Sequence, residues 1–139
     1  AAAERRNGFA AAVALYPGCG LRLGDWRSDG TGVYRAVAPT LILAGEKDDW
    51  SPAAPCREMQ EIAVRNGYPV SITVYPGAHH AFDSNRPVRY VPTRVNGASP
   101  TGRGATTGGD PNAWADAIRQ VDAFFGRHLQ PSAMQGASR

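Results

Sequence analysis

APTLILAGEKDDWSPAAPCREMQEIAVRNGYPVSITVY, residues 38 to 75, reads as strand, helix, strand. Ala38 to Ala44 is a near-continuous apolar run closed by Gly45, the composition of a strand buried on both faces of a parallel sheet. Ser51 is placed to cap a helix with Pro52 at its first position, and Cys56, Met59 and Ile62 or Ala63 recur at helical spacing until Asn66-Gly67 ends it. Val70 to Tyr75 then alternates, with β-branched residues, as a strand does. A strand, a helix and a second strand in this order imply parallel neighbours joined by a right-handed crossover.

Outward from this unit, Phe9 to Tyr16 (FAAAVALY) is a second apolar run, closed by Pro17-Gly18, and is predicted as another buried strand of the same sheet. Leu21 to Val37 is rich in Gly and Asp and has little helical period. From Ser84 to Gly109 the composition shifts to Gly, Pro, Thr, Asn and Arg, which predicts a long, mobile loop or insertion. Asp110 then caps a last helix with Pro111 in its first turn, and Trp114, Ile118, Val121 and Phe125 fall on one face, widened by Phe124 and Leu129. That stripe is expected to lie in the core. Residues 130 to 139 read as a flexible tail, and Ala1 to Asn7 with Gly8 as the last turn of a helix and its cap. With no initiating Met, we expect a segment upstream of Ala1.

The 139 residues, 42% of them hydrophobic, are enough for one domain with a core. Fifteen basic and 12 acidic residues are scattered rather than grouped, which argues against a nucleic-acid surface. No apolar stretch approaches the length needed to cross a bilayer, and the first residues lack the order of a signal peptide, so no membrane partner is expected.

Chemistry concentrates at two loops. GEKDDWSP, Gly45 to Pro52, leaves the C-terminal end of a buried strand and carries Asp48 and Asp49; YPGAHHAFD, Tyr75 to Asp83, leaves the next strand and carries His79 and His80. Adjacent parallel strands deliver these loops to one edge, where ligands sit in open α/β sheets. A carboxylate that fixes an imidazole tautomer is the acid–base half of a nucleophilic triad. His79, His80 and Asp83 do not make a metal site in this reading, because adjacent side chains on an extended loop point apart. Cys19 and Cys56 both lie near the C-terminal ends of neighbouring strands. Two readings stand: a disulfide, which suits a periplasmic or secreted protein, or two buried thiols in a cytoplasmic one.

LILAGEKDDWSPAAPC followed by VYPGAHHAF resembles the acid and histidine segments of the dienelactone hydrolase family within the α/β-hydrolase fold, and AAVALYPGC resembles the strand preceding them. The resemblance implies a three-layer α/β architecture with a mostly parallel sheet, of which this chain, residues 1 to 139, supplies the last strands and helices. It implies Asp48 as triad acid, His80 as triad base, and Trp50 and His79 beside the substrate. It further implies a carboxylic ester or lactone as small-molecule substrate and no cofactor. The family's nucleophile, Cys or Ser in Gly-x-[Cys/Ser]-x-Gly, precedes acid and histidine. Cys19 stands early in the chain, but Pro17 and Leu21 occupy the positions where the turn needs glycine. The nucleophile is therefore expected upstream, leaving the chain as given incomplete and inactive. The alternative is a non-catalytic binding or interaction remnant that keeps the fold without the chemistry.

Overall fold

The computed structural model describes residues 8–129. The expected helical turn before Gly8 and the tail after Leu129 lie outside the described residues. Seven elements follow one another: β1 (Ala12–Leu15), β2 (Thr40–Gly45), α1 (Ala53–Arg65), β3 (Val70–Tyr75), β4 (Arg89–Val95), β5 (Arg103–Thr107) and α2 (Pro111–His128). β1, β2 and β3 form a parallel sheet in that order, with Leu43 beside both Leu15 and Thr73.

Every residue of the central strand β2 is buried, because each face of the sheet carries a helix. Successive side chains alternate between the faces. Ile42 joins Cys56, Met59 and Ala63 of α1 and Val70 of β3, whereas Leu41 and Leu43 join Ala113, Ala117 and Phe124 of α2. The result is helix, sheet, helix, the three layers expected.

Several expectations need correction. The first strand spans Ala12–Leu15 and is only half-buried, while Phe9 is exposed, because β1 has β2 on one side and no strand on the other among the described residues. Ser51 does not cap α1. Pro52 occupies the cap position with no side-chain bond, and the Ser51 N–H is instead taken by Asp48. Residues 84–109, expected as a loop or insertion, are not loop throughout: β4 and β5 pair antiparallel as a hairpin with a register irregularity between Val91 and Val95. The α2 stripe is also partly misassigned. Asp110 caps the helix as predicted, accepting from the N–H groups of Asn112 and Ala113, but Trp114 and Ile118 are exposed and Val121 and Phe125 only partly buried. The small residues Ala113 and Ala117, with Phe124, make the closer contact with the sheet.

The segment between β1 and β2 has no helix, yet holds a buried anchor. Trp26 is fully buried beside Cys19, its indole N–H donating to the Cys19 carbonyl at 2.9 Å. Cys19 and Cys56 are joined in a disulfide with a Cα separation of 5.0 Å, tying this segment to α1.

Candidate active site

Parallel pairing of β2 and β3 brings the loops that follow them to one edge of the sheet, and a glycine lets them meet. A Cβ on Gly45 would stand 2.4 Å from the Ala78 carbonyl oxygen, so only a residue without a side chain allows this approach. The Lys47 N–H donates to that same carbonyl at 2.9 Å.

Across this junction His80 Nδ1 lies 2.9 Å from Asp48 Oδ2. Asp48 is buried, and its other oxygen accepts from the Trp50 and Ser51 N–H groups at 2.9 and 2.7 Å. Backbone donors and the imidazole thus hold both carboxylate oxygens and keep the carboxylate aimed. With Nδ1 committed to Asp48, Nε2 is the ring nitrogen left for proton transfer. His80 lines a cavity of about 480 Å³ with Tyr16, Trp50, Asp83, Arg86, Arg89 and Arg94.

Asp49 points elsewhere, accepting from the N–H and hydroxyl of Thr106 on β5 at 2.7 and 2.8 Å. His79 does not line the cavity, contrary to expectation. Trp50 does line it, with its indole 4.5 Å from the Arg94 guanidinium in a cation–π contact and its N–H on the Val95 carbonyl. Cys19 cannot act as nucleophile in this state, since its sulfur is bonded to Cys56 and the residue is buried. Among the described residues, no group of three or more His, Cys, Asp or Glu is placed to hold a metal ion.

Two features escaped the sequence. The hairpin carries Arg89 and Arg94 into the cavity wall and is bolted to the loops that follow β2 and β3: Thr107 bridges to His80, the Gly108 N–H donates to the His80 carbonyl, and the buried Asn96 amide donates to the carbonyls of Asp49 and Gly104. Tyr16, at the end of β1, has φ 41°, and Ala81, beside His80, has φ 61°. These are the two non-glycine residues with positive φ among the described residues, and such conformations cost on the order of 1–3 kcal/mol each. Tyr16 lays its ring 4.3 Å from that of His80 and donates its hydroxyl to Asp83 at 3.1 Å. Burial, then the charge and hydrogen bond of Asp83, hold the Tyr16 phenol protonated above its ordinary range.

The family model for dienelactone hydrolases matches residues 1–129. This chain belongs to the dienelactone hydrolase family. The fold of this family member is similar to that of a Klebsiella pneumoniae subsp. pneumoniae MGH 78578 protein named a putative dienelactone hydrolase, at 20% identity and TM-score 0.51, with 84% of this chain covering 42% of that one. It is similar also to Thermogutta terrifontis esterase 2, solved phosphoramylated by tabun, at 18% identity and TM-score 0.55, with 88% of this chain covering 44% of that one. The chain thus spans less than half the length of the two, and at these identities the likeness establishes the hydrolase fold. No curated protein matches the sequence.

Proposed function

We propose that this chain carries the acid–base pair of a carboxylic ester or lactone hydrolase whose nucleophile, Cys or Ser, stands in a segment upstream. The observation that carries the reading is the 2.9 Å contact between His80 Nδ1 and the buried Asp48 carboxylate at the C-terminal edge of a parallel sheet, opening on a cavity. Family membership supports it. His80 Nε2 takes the proton of the nucleophile as that atom attacks the acyl carbon, then returns it to the departing alkoxide, leaving an acyl-enzyme. Water, deprotonated by the same nitrogen, releases the acid. Asp48 holds the tautomer and stabilises the imidazolium, while backbone donors from the upstream segment supply much of the oxyanion hole. Arg86, Arg89 and Arg94 make the cavity wall cationic, which favours an ester or lactone that also bears a negative group.

The test compares residues 1–139 with the chain extended upstream through a Gly-x-[Cys/Ser]-x-Gly turn, using p-nitrophenyl acetate and a carboxylate-bearing lactone. The extended protein should show an acyl-enzyme burst and saturable turnover, lost by about 10³-fold or more in His80→Ala, and residues 1–139 alone should show no burst. Turnover unchanged by His80→Ala, or none in an extended protein that binds the lactone, would favour the non-catalytic alternative.

A further inference from the structure

We propose that Tyr16 is a positioning residue for His80, acting through its ring; the functional importance of this rests on the proposed role of His80 as base. A single hydrogen bond from Nδ1 to Asp48 sets the distance of the imidazole but leaves rotation about that bond cheap. Rings packed against the imidazole restrict that freedom. The Tyr16 phenol packs against the imidazole at 4.3 Å with a 54° tilt, and the Trp50 indole does so at 4.6 Å with a 49° tilt.

Tyr16 is itself held from several directions. Its N–H donates to the Leu43 carbonyl at 2.7 Å, continuing the β1–β2 pairing, its ring meets Phe82 edge-on at 5.6 Å, and its hydroxyl is anchored on Asp83. The backbone carries φ 41°, where glycine is the easy choice and an aromatic residue is strained. A strained residue held by the sheet, by Phe82 and by Asp83, with its ring tilted against an imidazole that lines a cavity, is arranged for that contact rather than for local stability.

The experiment reads the His80 ring by ¹⁵N-resolved NMR in residues 1–139, which needs no nucleophile. In the wild-type chain the Nδ1–H tautomer should dominate, with its proton protected from exchange. Tyr16→Gly deletes the ring and relaxes the backbone; Tyr16→Asn, also tolerant of positive φ, serves if the glycine variant fails to fold. Either should speed Nδ1–H exchange about tenfold, the scale of one aromatic contact, and mix the tautomers. Tyr16→Phe, which keeps the ring, should restore wild-type behaviour to within about twofold. Ringless variants with unchanged exchange and tautomer would overturn the proposal, as would Tyr16→Phe behaving like Tyr16→Gly. Asp48→Asn separates the two readings. If it leaves the Nδ1 proton untouched, the Asp48–His80 pair fails; if it alone disturbs that proton, only the role of Tyr16 fails.

Discussion

Two adjacent carboxylates with divergent partners give the sharpest contrast between residues. Asp48 meets His80 and two turn N–H groups, whereas Asp49 meets Thr106, so their removal should have different signatures. In the upstream-extended protein Asp48→Asn should lower kcat by about 10³- to 10⁴-fold, because the amide favours the wrong imidazole tautomer. Asp49→Asn should leave kcat within about tenfold and act on stability, since it loses a charge-assisted bond to the hairpin. Steady-state kinetics on the two variants decides it, and equal losses in kcat would be the contrary result. The choice of Asp48 over Asp49 came from the family resemblance of Gly45-x-x-Asp48-x-x-x-Pro52, since the loop by itself offers two adjacent carboxylates; the structure has Asp48 on His80. Tyr16 was not legible: a tyrosine ending an apolar run carries no mark of positive φ, which appears only once β2, Phe82 and Asp83 hold it. Its protonation gives a further expectation. With its folded value raised above 10.0 by burial and Asp83, Tyr16 contributes stability that is present below pH 10 and is lost as pH rises through the folded value. Tyr16→Phe should therefore flatten part of the alkaline fall in unfolding free energy between those limits, measured by urea titration at several pH values.

Among elements, the hairpin is where pattern reading fell short and where a single side chain matters most. β4 has no fully buried residue and carries Pro92, so neither alternation nor apolar content marked it as a strand. Its pairing is secured by Asn96 in the hairpin turn and, from outside the hairpin, by Asp49 and the chain around His80. Asn96 looked like any turn residue, yet it is buried and bonds two carbonyls from different elements. Asn96→Ala should destabilise the chain by about 1–3 kcal/mol, the cost of leaving those carbonyls without a donor, and should raise amide exchange in β4 and β5 before β2. Uniform exchange across both sheets would contradict this. The bounds of β3 and the start of α2, by contrast, were read correctly, since alternation in one and an Asp-Pro cap in the other are local signals. The disulfide was open in the sequence because spacing cannot choose between a bridge and two thiols; the observed bridge closes a sequence separation of 37 residues. Breaking it should lower stability by roughly 4 kcal/mol in the chain-entropy picture. Equilibrium unfolding with and without reductant tests that, and an unshifted midpoint would leave an oxidising compartment without physical support.

For the whole molecule, the order of strand, helix and strand was enough to place the parallel sheet, while the fate of the apolar surfaces was not. Helical period shows that α2 has an apolar face, but not what covers it. In the structure Leu15 of β1 and Trp114, Ile118, Val121 and Phe125 of α2 line one open apolar depression, Ile118 being 60% exposed, next to a β1 edge with no partner among the described residues. An unpaired strand edge and an adjoining apolar patch both promote association of a chain studied by itself. Residues 1–139 should therefore self-associate as concentration rises, with sedimentation showing species heavier than 14.8 kDa and Trp114 fluorescence shifting to the blue as its surroundings dry. Ile118→Lys places a charge in the middle of the depression on an exposed helix position, where folding should tolerate it, and should weaken association by about tenfold, the worth of burying one such side chain less its partial cover. A chain that stays monomeric at high concentration, or an Ile118→Lys variant that associates as before, would overturn association through this face.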